Sequence, residues 1–145
     1  MGRRSATLKV RLITVGKAKA PFIEADAHYR KLLQHHQPVE VVEVRDELNI
    51  EGRVPDRAHV VALDHGGKAL SSRAWANWLE ERRIDSRDVC FLIGGPRGLP
   101  PEVLDLAAER VSLGPQTLAH QLARVVLLEQ LFRATKILAG EPYHL

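Results

Sequence analysis

Apolar positions along the chain follow two periods in turn. Residues 8–15 alternate and are rich in β-branched side chains, which predicts a strand closed by Gly16. Pro21 stands where a helix can begin, and Phe22, Ile23, Tyr29, Leu32 and Leu33 recur at roughly helical spacing to about His35. Residues 39–44 read as a second strand. Residues 45–57 are polar, contain Gly52 and Pro55, and read as a connection. Residues 59–63 predict a short third strand, closed by Asp64-His65-Gly66-Gly67. Ser71 or Ser72 is placed to cap a helix that runs to about Arg83 and buries Trp75, Trp78 and Leu79. Residues 89–93 are an uninterrupted apolar run, which suits a strand covered on both faces. Pro100 and Pro101 open a helix to about Glu109, and residues 111–113 predict a short fifth strand. His120 opens a last helix to about Ala139, followed by the tail 140–145. Strands alternating with helices predict one α/β sandwich domain over residues 1–145, built on a mostly parallel sheet.

The last helix breaks its own pattern. At 100° per residue, Leu127, Leu131 and Leu138 form an apolar stripe, and Arg124 falls inside it. A buried guanidinium needs an anionic partner, a carbonyl or an interface, because an unpaired buried charge is costly. Val125, Val126 and Phe132 lie outside the stripe, so the helix carries more apolar surface than one sheet face requires. A homodimer interface is the expected cover; contact with other helices of the same subunit is the alternative.

Composition narrows the class. A chain of 145 residues buries roughly 70% of its unfolded surface and needs no disulfide or metal to be stable. Aromatic residues are only 5% of the chain, so aliphatic packing is expected to carry the core. The single cysteine, Cys90, lies in the apolar run and reads as a buried small hydrophobe, in keeping with a cytoplasmic protein. No apolar run approaches the ~18 residues of a membrane span. Residues 1–7 lack a signal-peptide hydrophobic region and read as a flexible leader. The net charge of +3 is modest, but its distribution is uneven. Arg3, Arg4, Lys9, Arg11, Lys17, Lys19, Arg30 and Lys31 crowd the first third, where a basic edge would suit a phosphate backbone.

Ligands of open α/β sheets bind beyond the carboxyl ends of strands, and three such ends are unusual here. Ile93-Gly94-Gly95-Pro96-Arg97-Gly98-Leu99 puts three glycines after the buried strand, which lets backbone approach a ligand closely. It is neither a dinucleotide fingerprint nor a P-loop. Leu113-Gly114-Pro115-Gln116-Thr117-Leu118 precedes the last helix, and its backbone groups suit the edge of an adenine. Ala62-Leu63-Asp64 is the third. No two of the seven histidines stand at i, i+4, and Cys90 has no neighbouring ligand, so no metal is expected.

Together these residues resemble the RlmH-type members of the SPOUT methyltransferases. The matching pieces are Leu12-Ile13-Thr14-Val15-Gly16-Lys17, Ala62-Leu63-Asp64, the run Phe91 to Leu99, and Ser112 through His144. The most specific are the segment Arg124 to Ala134 and the closing Pro142-Tyr143-His144. The resemblance implies an α/β sandwich with a C-terminal trefoil knot, a homodimer, and cofactor pockets close to the subunit interface. It implies S-adenosylmethionine-dependent methylation of N3 of a pseudouridine in a 23S rRNA stem-loop on assembled ribosomes. By position, Leu63, Gly94, Leu113, Gly114, Pro115, Gln116, Thr117 and Leu118 would hold the cofactor. Tyr143 and His144 would lie near the methyl-transfer site, and Arg124 matches a family arginine with a site or interface role. The imino N–H must lose its proton, and a histidine titrates near neutral pH, so His144 or His120 is a candidate base.

The chain departs from the family pattern at Ala119, where proline is usual before the motif histidine. It departs again at Leu145, where relatives place a basic residue after Tyr-His, and in the short connection 45–57, where relatives often carry a helix. Two other readings stand beside the enzyme: a SPOUT-fold cofactor-binding protein without activity on RNA, and an unrelated α/β nucleotide-binding enzyme.

Overall fold

The computed structural model describes residues 8–143; the expected leader over residues 1–7, His144 and Leu145 lie outside the described residues. Five strands form one sheet in the order β2-β1-β4-β3-β5, and every pairing between them is parallel. They are β1 (Val10–Val15), β2 (Val39–Val44), β3 (His59–Ala69), β4 (Val89–Ile93) and β5 (Glu109–Ser112). The helices are α1 (Phe22–Leu33), α2 (Ser72–Asp85), α3 (Pro101–Leu104) and α4 (His120–Ala139).

Side-chain alternation divides the sheet into two cores. Leu12, Val61, Phe91 and Val111 point to the face covered by α1, α2 and α4, where Leu127, Leu128 and Leu131 of α4 meet them. Ile13, Val60, Cys90 and Leu92 point to the opposite face, under Ile50, Leu99 and Val103. The central strand β4 is therefore buried on both faces along its whole length, as an unbroken apolar run requires. Aromatics are few but not idle. Trp75, Trp78 and Phe91 pack together with ring centroids 5.4–6.2 Å apart, so the helical face has an aromatic centre that the composition did not suggest.

The end of β3, the end of α3 and the connection 45–57 differ from expectation, each for a physical reason. β3 continues to Ala69 instead of stopping at Leu63. Leu63 and Lys68 both stand opposite Val111, so residues 64–67 leave the ladder as a bulge and return to it. Gly67 permits the return: a Cβ there would lie 2.5 Å from the Arg110 carbonyl carbon. α3 is one turn, not a helix to Glu109. The Ala108 N–H donates to the Val60 carbonyl at 2.8 Å, so the chain is taken into the sheet, and β5 begins at Glu109. The connection 45–57 holds two single turns of 3-10 helix, Glu47–Asn49 and Glu51–Arg53. Asp46 caps the first by accepting from the Leu48 N–H at 2.8 Å.

α4 lies between α1 and α2, so part of its wide apolar surface is covered within the chain. Phe132 is among the covered residues, with His36 and Tyr143 edge-on to its ring at 5.9 and 5.2 Å. Leu122, Val125 and Val126 stay partly exposed. No helix among the described residues is long and apolar enough to cross a membrane.

Candidate functional site

Parallel strands bring their carboxyl ends to one edge of the sheet, and there the bulge of β3 and the ends of β4 and β5 open a cleft of ≈ 650 Å³. That size falls in the usual range for small-molecule sites. Its walls are residues 63–65, 93–99, 111–114 and 116–120, with Ala123. All the expected cofactor residues except Pro115 lie on these walls, and so does His120. Pro115 is exposed beside them.

The glycine turn forms one wall. Gly98 N–H donates to the Gly95 carbonyl at 2.9 Å, which closes the turn across Pro96 and Arg97. A Cβ at Gly94 would lie 2.5 Å from the Gly98 carbonyl carbon and 2.8 Å from the Leu99 nitrogen. What the missing side chain admits at Gly94 is thus the loop's own backbone, and the ligand-facing shape follows from that closure. The opposite wall, residues 113–118, is braced by Ser112. Its hydroxyl donates to the Gly114 carbonyl at 2.6 Å and accepts from the Gly114 N–H at 3.1 Å.

Glu47 is a site residue that the sequence did not reveal. Its carboxylate accepts the Gly95 N–H at 3.1 Å, so the capped turn in the short connection reaches across 48 positions to hold the glycine loop. The Asp46–Asn49 spacing signals a turn, but nothing local names its long-range partner.

His120 starts α4, and its Nε2 would lie 4.0 Å from a Cβ at Gly16, so the imidazole stands over the end of β1. Gln121 beside it ties the same loop: its amide oxygen accepts from Lys19 N–H at 2.8 Å, and its amide nitrogen donates to the Lys17 carbonyl at 3.1 Å.

Arg124 is buried one turn further along and does not line the cleft. Its Nε donates to Asp26 and its Nη1 pairs with Glu43 at 2.9 Å. Asp26 is itself buried and also pairs with Arg30 at 2.8 Å. The anionic partner demanded by the sequence therefore comes from α1 and β2 of the same chain.

Tyr143 is not brought to the cleft within one chain. Its ring lies edge-on to Phe132, under the Arg133 guanidinium at 4.5 Å. Burial raises its pKa, and the neighbouring Glu129 and Tyr29 raise it further. Phe132 is twelve residues beyond His120 on α4, about 18 Å along the helix. Cys90 lies in the sheet's second core, where burial pushes its thiol up to about 12. Among the described residues no group of three or more His, Cys, Asp or Glu is arranged to hold a metal ion.

The profile of the family described as predicted SPOUT methyltransferase matches residues 8–144. The chain belongs to the SPOUT methyltransferases. Curated relatives agree along their full length. The ribosomal RNA large subunit methyltransferase H of Stenotrophomonas maltophilia (strain R551-3) is 44% identical, over 94% of this chain and 99% of the relative. The protein of the same name from Gemmatimonas aurantiaca is 39% identical over the same shares. Among solved structures, a probable methyltransferase from Bordetella pertussis Tohama I matches with a TM-score of 0.60 at 18% identity, covering 88% of this chain and 96% of its own. The SpoU methyltransferase AviRb from Streptomyces viridochromogenes, solved with AdoMet, matches with a TM-score of 0.55 at 15% identity, over 97% and 61%. At these identities the two structures support the SPOUT fold.

Proposed function

We propose that the protein is an S-adenosylmethionine-dependent rRNA methyltransferase that acts on N3 of a pseudouridine in the 23S rRNA of assembled ribosomes, in the cytoplasm. The observation that carries this reading is the cleft itself. It gathers seven of the eight expected cofactor residues and His120 onto one set of walls, in a SPOUT chain whose full-length relatives are named as large-subunit rRNA methyltransferases.

The walls suit the cofactor. Leu63, Ile93, Leu113 and Leu118 offer apolar surface, while the loop 113–118 presents backbone groups to an adenine edge without a charged side chain. When bound, S-adenosylmethionine supplies an electrophilic methyl group. The chain's own part is to hold the reacting groups in line, a proximity effect, and to take up the imino proton. His120 stands on the wall for that role, with His144 as the other candidate. Arg124 acts as a positioning residue, fixing α1, β2 and the start of α4 to one another.

The distance from Tyr143 to the cleft favours a homodimer. One α4 separates Phe132, on which Tyr143 packs, from His120 by about 18 Å along its axis, so Tyr143 of a second copy completes the site. Leu122, Val125 and Val126, partly exposed on α4, provide apolar surface for that contact. The family's trefoil knot belongs to this reading as well.

Methyl transfer to ribosomes that lack the modification tests the activity. Incorporation at the pseudouridine is expected; none on assembled, pseudouridylated ribosomes, with cofactor binding intact, leaves the binding-protein reading. Failure to bind S-adenosylmethionine in calorimetry rejects both.

A further inference from the structure

The fold sorts the basic residues that crowd the first third of the chain. Arg11 is engaged by the chain itself: its Nε pairs with Glu40 at 2.8 Å, and its Nη1 donates to the Arg53 carbonyl at 2.7 Å. Arg30 is held by Asp26. Lys9 precedes β1 at the amino end of the sheet. Lys31 lies in the last turn of α1, just ahead of the amino end of β2. Of that basic group, among the described residues, Lys17 and Lys19 follow a strand's carboxyl end, the edge on which the cleft opens.

The loop that carries them is anchored by its backbone. Gly16 N–H donates to the Val44 carbonyl at 2.8 Å, Ala18 N–H to Glu43 at 2.9 Å and Lys19 N–H to Gln121 at 2.8 Å, and Gln121 returns a bond to the Lys17 carbonyl at 3.1 Å. Gln121 adjoins His120 on the cleft wall. Both lysine side chains are exposed and form no ion pair among the described residues. Arg97 stands exposed at the tip of the glycine turn on another lip, likewise without an ion pair among the described residues. Three carboxylates of the surrounding segments are already engaged. Glu43 faces Arg124 and Ala18, Glu47 accepts from Gly95, and Asp64 accepts from the Gly66 N–H at 3.2 Å.

We infer that Lys17 and Lys19, with Arg97 across the mouth, form a phosphate-binding rim that seats an RNA backbone over the cleft. The inference rests on reading the cleft as the site of RNA methylation. An anchored backbone fixes where the ammonium groups emerge, so less freedom is lost when they meet phosphates. Such contacts position an RNA without reading its bases. Each phosphate neutralised on a single strand steepens the salt dependence by roughly 0.7 in log–log slope.

The test is ribosome binding by the full chain across a salt series, with S-adenosylmethionine affinity measured in parallel by calorimetry. Lys17→Gln/Lys19→Gln should weaken ribosome binding about tenfold or more at moderate salt and lower the slope by roughly 1–2, while leaving cofactor affinity unchanged. Lys17→Arg/Lys19→Arg should restore binding. Arg97→Gln added to the glutamine pair should weaken it further. Unchanged ribosome affinity and slope in the glutamine pair, with the parent chain binding normally, overturn the rim alone. A glutamine pair that loses cofactor affinity also overturns it, because the lysines would then act through the cleft. A parent chain that binds cofactor but no ribosome overturns the rim and the RNA reading together. Lysine-dependent RNA binding without cofactor binding upholds the rim and rejects the methyltransferase reading.

Discussion

Replacing Arg124 with methionine removes the guanidinium that joins Asp26 of α1 and Glu43 of β2 to α4. The cost follows from what is left behind. Asp26 has a side chain only 1% exposed and keeps Arg30, whose own side chain is 40% exposed, as its charged partner. Removing one member of a buried pair costs roughly 3–5 kcal/mol, because the other charge stays buried and under-compensated. The Glu43 arm adds little, about 0–1 kcal/mol, since Glu43 is 31% exposed and screened by solvent. Methionine recovers some apolar contact within the stripe of Leu127 and Leu131, so the lower end, about 3 kcal/mol, is the expected loss. Against a total stability of about 5–15 kcal/mol, that lowers Tm by about 6–12 °C. Urea unfolding followed by tryptophan fluorescence reads it directly, because Trp75 and Trp78 are both buried. The midpoint should fall with little change in slope. Asp26→Asn/Arg124→Met should be less destabilised than the single variant, since it removes the orphaned charge. A single-variant loss below about 1 kcal/mol, or a double variant whose losses add, refutes the buried-tie reasoning.

Glu47→Ala should raise the S-adenosylmethionine Kd about tenfold, the low end of the roughly 1.5–3 kcal/mol of a hydrogen bond to a charged group, because Glu47 is only half-buried. Glu47→Gln keeps an acceptor for Gly95 N–H and should retain most of the affinity in the same calorimetry. Gly94→Ala should cost at least tenfold in cofactor affinity through its 2.5 Å backbone clash, whereas Gly52→Ala, with nothing within 4 Å, should leave affinity unchanged. Glu109 predicts an acid-side loss of stability. Burial pushes its carboxyl up, but the hydrogen bonds from His59 at 2.5 Å and Trp78 at 2.9 Å outweigh that and hold it below its ordinary 4.5. A depressed folded value means stability present above about pH 4.5 and lost as pH falls through the folded value. Denaturant unfolding should show a drop there of about 1 kcal/mol or less, since Glu109 is a third exposed, and Glu109→Gln should remove it.

The legible parts of the fold were those with one strong local signal. Strands β2 and β4 and the long α4 occupy the expected residues because alternation, an unbroken apolar run and a twenty-residue helical period each dominate their window. The misread ends were decided by distant partners: Val60 captures Ala108 and ends the turn of α3, and Val111 takes back β3 after its bulge. The walls of the cleft were legible because glycine turns and strand ends mark themselves. The charge at Arg124 announced a need for an anion but not its source, since Asp26 reads as an ordinary polar residue on a helix until α1 and α4 are packed together.

The glycine turn on the cleft and the neighbouring loop after β1 share a design that follows from these distant ties. The glycine turn is closed by its own backbone and held from outside by Glu47. The loop after β1 is held from outside by Gln121 and Glu43. Both loops are braced by bonds from the chain itself, so binding need not repay the full ordering of these loops. The anchors themselves lie outside the cleft wall. Substitutions at Glu47 should therefore act on affinity by loosening the turn, with no contact to the ligand lost. The amide of Gly95 reports that directly: its hydrogen exchange should quicken in Glu47→Ala and stay slow in Glu47→Gln, before any cofactor is added.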